Sequence, residues 1–163
     1  MKRFITFILV LASLMAMVVP VYAADTEPET VQLEDGTKIT YFGDGGVLTT
    51  YPATIVEESY STLGTAKTIT AAKDNIYEYD GVVEWKYTLT ASFTYTGDSS
   101  VCTSASYTKT IYKDNWQFSD GSTSRSGNRA YGYGTFKYKV LFVTTKTVNI
   151  DISMFCTVGG VVM

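Results

Sequence analysis

The sequence predicts an all-β protein, an antiparallel Ig-like β-sandwich preceded by a helical signal peptide. Three observations carry that expectation. From Val83 to Tyr95 every odd position is apolar (Val83, Trp85, Tyr87, Leu89, Ala91, Phe93, Tyr95), while Glu84, Lys86, Thr88, Thr90, Ser92 and Thr94 fill the even ones. That is the period-two pattern of a strand with one buried face. From Lys146 to Cys156 a second run alternates in the same way, with Val148, Ile150, Ile152 and Met154 inward and Thr147, Asn149, Asp151 and Ser153 outward. Further β-branched and aromatic segments are separated by short Gly, Asn, Asp and Ser clusters, as in a sandwich or barrel.

The elements follow in chain order. Lys2 and Arg3 precede an apolar run from Phe4 to Val19, then Pro20, Val21, Tyr22, Ala23 and Ala24. This is the charged, apolar and cleavable order of an export signal. Small residues at Val21 and Ala23 favour a cut after Ala23, so residues 1–23 are expected to be removed. An uncleaved anchor is the alternative, because Phe4 to Ala24 is just long enough to span about 30 Å of hydrocarbon. Residues 24–30, with Asp25, Glu27 and Glu29, read as a flexible acidic leader. Residues 31–158 form the expected domain and 159–163 a short tail.

Val31–Leu33 and Thr37–Tyr41 flank Glu34-Asp35-Gly36, a hairpin signal in which Val31 pairs with Ile39. Between Leu48 and Ala72 the pattern weakens, with a helical turn expected at Val56–Tyr60 and a Thr-rich strand at Thr65–Thr70. Beyond the long strand at 83–95, further strands are expected at Val101–Tyr112, Trp116–Ser119 and Ala130–Phe142. The Ser-rich run from Asp120 to Asn128 is expected to separate the last two.

Cys102 and Cys156 both lie in the exported part, where an even count predicts a bridge. Such a bridge is worth about 4 kcal/mol in the chain-entropy account. Two free thiols or a two-ligand metal site are the alternatives. Because Cys102 is out of parity with Val101, Ala105, Tyr107 and Ile111, an inward Cys102 requires a bulge or a strand end.

Several motifs, namely Phe93-Thr94-Tyr95-Thr96-Gly97, Cys102-Thr103-Ser104-Ala105, Tyr112 with Trp116, Ser126-Gly127-Asn128 and the late Cys156, resemble those of small secreted β-sandwich proteins of Gram-positive gut bacteria. The resemblance covers roughly half of the chain. Those proteins have no assigned activity, so the resemblance implies secretion by Gram-positive type export and a β-sandwich, and it implies no chemistry. The high Tyr content departs from that pattern.

Composition narrows the function. The chain holds no His, which removes Ser-His-Asp and Cys-His catalysis and the commonest zinc ligand. Without residues 1–23 the chain keeps 11 basic against 16 acidic residues, a balance that argues against nucleic acid as a partner. No further apolar stretch approaches spanning length, so no membrane contact is expected once the signal is cleaved. Glu57, Glu58, Glu78, Asp80 and Glu84 are available for carboxylate chemistry on a glycan, but nothing singles out a pair. Asp74, Asn75, Glu78 and Asp80 offer oxygen ligands without the order of a known calcium loop. No cofactor or metal is expected.

Trp85 stands in the apolar row of its strand and is assigned to the core, while Trp116, beside a turn, is either core or a possible aromatic contact. On the strand Ala130–Phe142 the even positions take the inner face. Tyr131, Tyr133, Lys137 and Lys139 then share the outer one, as cross-strand packing or as a binding stripe. The expected function is a secreted, non-catalytic binding or interaction module acting on a cell-wall polymer, glycan or protein. The rivals are a carboxylate-dependent glycan-active enzyme and a bacteriocin-like antagonist.

Overall fold

The computed structural model describes residues 27–60 and 66–163; the expected signal peptide and most of the acidic leader lie outside them. Ten strands follow in order: β1 (Glu29–Gln32), β2 (Lys38–Tyr41), β3 (Gly46–Thr50), β4 (Thr54–Tyr60), β5 (Lys67–Tyr79), β6 (Val82–Tyr95), β7 (Ser100–Ile111), β8 (Trp116–Ser126), β9 (Arg129–Val140) and β10 (Val143–Phe155). They form two antiparallel sheets. The larger runs β1-β2-β3-β5-β6-β7, with β4 also on β5, and the smaller runs β10-β9-β8. This arrangement is consistent with a β-sandwich. Its connectivity is not the Greek key of an Ig-like domain: apart from β3, which skips β4 to pair with β5, strands pair with their chain neighbours, and the chain passes from one sheet to the other at β7 to β8.

The two alternating runs build the core. Trp85, Tyr87, Leu89, Ala91 and Phe93 of β6 are fully buried, facing Val148, Ile150, Ile152 and Met154 of β10 and Ala130 and Phe136 of β9. The Trp85 ring lies between Tyr77, at 5.2 Å, and Phe136, at 3.8 Å, nearly parallel to both. On the inner face of β9, Gly132 and Gly134 allow close approach of the sheets. A Cβ at either would crowd Tyr87, whose hydroxyl donates to the Tyr133 carbonyl at 3.1 Å.

Several expectations are corrected by long-range pairing. Residues 56–60 belong to strand β4 rather than to a helical turn. The 13-residue β5 takes β4 along its first half and β3 along its second. β4 is exposed throughout, so it lacks the alternation that marks a buried strand. The Ser-rich segment continues β8 as far as Ser126, because a bulge between Phe118 and Asp120 keeps it in register with β9. Conversely, the strand expected to run to Phe142 ends at Val140. Val140 and Phe142 are exposed and not core, because the chain reverses at Leu141-Phe142 beyond the opposing sheet. Val31 does pair with Ile39, yet β1 is exposed because it sits at the far edge of the large sheet. Strand pairing starts at Glu29, and at the other end Met163 exchanges two backbone hydrogen bonds with Phe155.

The expected disulfide is absent. A bulge opposite Ser92 and Phe93 does turn Cys102 inward. Both cysteines are nevertheless free and buried, their thiols donating to the carbonyls of Ser104 and Thr157. Their backbones are tied to the β8–β9 turn instead of to each other: Cys102 N–H donates to Gly127 and Cys156 N–H to Asn128. Burial pushes the Cys102 thiol above its ordinary pKa, against the opposing pull of Arg125.

Candidate functional site

The outer face of the small sheet is ordered by strand register. Ser124, Tyr131 and Ser153 form one cross-strand row and Ser122, Tyr133 and Asp151 the next. Asp120, Thr135 and Asn149 make a third, followed by Gln117, Lys137 and Thr147. Tyr131, Tyr133, Lys137 and Lys139 therefore share one face on the central strand. Period two dictates this, and the intervening inner positions are Gly132 and Gly134, where a Cβ would crowd Tyr87. Tyr131, Lys137 and Lys139 are half-buried by their neighbours, and Tyr133 is 41% exposed.

Row three is made of short side chains between Tyr133 and Lys137, and this difference in height leaves a trough. The depression has a volume of about 280 Å³ and is lined by Asp120, Ser122, Tyr133, Thr135, Asn149 and Asp151. Thr135 donates to the Asn149 side-chain carbonyl at 3.2 Å and so fixes which amide edge faces the trough. One aromatic face beside two carboxylates, an amide and two hydroxyls suits a ligand with an apolar ring face and several hydroxyl groups. Tyr133 was legible from strand parity. The outward parity of Asn149 and Asp151 was legible in the same way, but their meeting with Tyr133 and Asp120 was not, because β8 and β10 come together only through pairing with β9.

Trp116 does not join this face. It lies 5% exposed on the inner side of β8, its indole N–H donating to Glu84 at 2.9 Å and its ring edge-on to Tyr77, Trp85 and Tyr138. It borders a second cavity of about 280 Å³, where Lys146 bonds both Asp44 carboxylate oxygens at 2.6 Å and the Tyr77 hydroxyl. The polar groups there are satisfied by one another, which makes the cluster a clasp between β10 and the β2–β3 turn. Burial opposes ionisation of Asp44, but the Lys146 ammonium and the Gly46 N–H outweigh it, so its carboxyl titrates below the ordinary value. Burial raises the Tyr77 hydroxyl well above its ordinary range.

The remaining candidates are dispersed. Glu58, on β4 level with Phe93, accepts from Tyr95, and Glu84 accepts from Trp116, so the two lie near opposite ends of β6 and about 30 Å apart along its direction. Asp74 pairs with Lys86, while the neighbouring Asn75 is buried on the other face and accepts from Thr50. Among the described residues no group of three or more His, Cys, Asp or Glu is placed to hold a metal ion. Sequence reasoning also missed Lys73, half-buried on the inner row of β5 and donating to the Ser153 carbonyl at 3.1 Å. Burial, and then Lys38, lower its pKa. Comparison of the chain with protein-family models, curated proteins and solved structures finds no match.

Proposed function

We propose that the protein is an exported, non-catalytic binding module that holds a glycan or cell-wall polymer on the outer face of its small sheet. The trough beside Tyr133 carries this reading. A sugar ring stacked on the exposed phenol brings its hydroxyls within reach of Asp120, Asn149 and Asp151. Tyr supplies such contact area at small entropic cost, and the rigid central strand holds it in place before binding. Tyr131, two residues along and about 7 Å away, extends the platform for a second unit of a polymer. The absence of His and the separation of Glu58 from Glu84 favour binding over cleavage.

Retention on purified cell-wall polysaccharide is the test, with reducing-sugar release followed in the same samples. Tyr133→Ser is expected to weaken retention by about tenfold or more with little change in melting temperature. Unchanged retention would remove the trough from the function. Sugar release lost in Asp120→Asn or Asp151→Asn would instead establish the carboxylate-dependent enzyme.

A further inference from the structure

The β9–β10 hairpin ends in a turn that folding alone does not favour. Val140 pairs with Val143, leaving Leu141 and Phe142 as the two turn residues, at φ of 48° and 70°. Two-residue hairpins of this type need positive φ at both positions, which Asn-Gly and Asp-Gly provide and branched or aromatic residues resist. The same two side chains are also the least covered large apolar groups described, Leu141 at 87% and Phe142 at 95% exposure, flanked by the exposed Val140 and Val143. Backbone strain and solvated apolar area are thus both accepted at one point, and neither residue reaches the core.

The shape and surroundings of this tip select its occupant. It is convex, extending about 7 Å past Asn115, the neighbouring-turn residue whose carbonyl accepts from Lys139 N–H. Lys137 and Lys139 stand behind it on the outer face and Lys113 on the adjoining turn, none of them in an ion pair among the described residues. Asp114, Asp80, Glu78 and Glu84 are the acids at this end outside the Asp44–Lys146 pair; Glu84 is held by the Trp116 indole N–H and Glu78 lies on the large sheet, so neither stands beside Lys137 and Lys139 on the outer face of the small one. Tyr112 and Tyr79, 54% and 41% exposed, lie at the same end of the sandwich. An apolar point backed by lysines and ringed by tyrosines matches the order of acyl chain, anionic headgroup and interface in a lipid bilayer.

We propose that Leu141 and Phe142 insert into the interfacial layer of an anionic lipid membrane, with Lys137 and Lys139 against the headgroups. This departs from the sequence expectation of no membrane contact, which addressed spanning segments. Among the described residues no helix is long and apolar enough to cross a membrane, and a surface contact requires none.

All ten strands lie within 29–155, so a chain starting at Ala24 carries the whole described fold, and every variant shares its N-terminus. Sedimentation with vesicles of equal parts phosphatidylcholine and phosphatidylglycerol tests the proposal in the absence of glycan. The wild type is expected to co-sediment. Leu141→Asn with Phe142→Gly is expected to lower the partition coefficient by at least about tenfold, while its melting temperature stays level or rises because the turn relaxes. Lys137→Gln with Lys139→Gln is expected to weaken binding to these vesicles and not to pure phosphatidylcholine. Tyr133→Ser is expected to bind vesicles as the wild type does, which separates this result from failure of the glycan reading. A wild type that stays in the supernatant, or a double turn variant that binds like it, overturns the proposal. Concentration-dependent self-association lost in the turn variant would assign the tip to a second copy of the chain and overturn it equally.

Discussion

The β5–β6 and β9–β10 hairpins close with the same backbone geometry and opposite chemistry. Asp80 and Gly81 have φ of 50° and 72°, and Leu141 and Phe142 have 48° and 70°. In each, the flanking residues pair directly, Tyr79 with Val82 and Val140 with Val143. The first turn uses residues that tolerate positive φ and stay hydrated. A third hairpin, at Gly127-Asn128, again places Gly where φ is positive. Among the described residues only the β9–β10 turn sets large apolar side chains in strained positions, so turn geometry by itself does not account for them. The contrast marks the β9–β10 tip as the point where side-chain chemistry departs from the rule that the neighbouring turns follow.

The largest expected effect comes from comparing two phenylalanines near the same hairpin. Phe136 is fully buried against Trp85, and Phe142 is 95% exposed at the tip. Phe136→Ala is expected to cost about 3–5 kcal/mol in denaturant unfolding, and Phe142→Ala less than about 0.5 kcal/mol. A comparable loss at both sites would mean that the tip packs against something and would break the contrast.

Exchanging turn chemistry is expected to act at an intermediate level. Asp80→Leu with Gly81→Phe should destabilise by about 2 kcal/mol, the cost of forcing both residues into the left-handed region. Equal stability, read by thermal melting, would show that this geometry imposes no strain and would weaken the reading of Leu141-Phe142.

The smallest effect concerns what steadies the base of the β9–β10 hairpin. The folded Asp44 carboxyl titrates below its ordinary value of 3.8, chiefly because Lys146 and Gly46 outweigh burial. The clasp therefore contributes stability above that ordinary value and loses it as pH falls through the lower folded one. Asp44→Asn is expected to cost less than about 1 kcal/mol at neutral pH, since the carboxylate is half exposed. The melting difference between the two proteins should begin to shrink as pH falls below about 3.8 and vanish below the lower folded value; a gap that persists in stronger acid would show that the contact is not electrostatic.

The legible and illegible parts of the molecule divide along one physical line. Alternation in β6 and β10 is local: a strand half-buried along its length prints a period of two on its own residues. The inner row from Trp85 to Tyr95, the burial of Val148 through Cys156 and the outward parity of Tyr131 and Tyr133 were readable for that reason, as was the Val31–Ile39 register across a three-residue turn. β4 and the outer half of β8 are exposed and carry no such imprint. They exist because β5 and β9 offer them edges, and those edges lie outside the segment itself.

Periodicity, turn chemistry and the lack of His determined on their own that the domain is all-β, which faces of its longest strands are buried, and that histidine chemistry is excluded. Tertiary structure alone decided the strand order with β3 and β4 both on β5, the separation of the cysteines by the Gly127-Asn128 turn, the meeting of Asp120, Asn149 and Asp151 around Tyr133, and the solvation of Phe142. Each depends on where a second strand begins, ends or shifts by one residue, and an offset of one residue reverses the face of every side chain that follows.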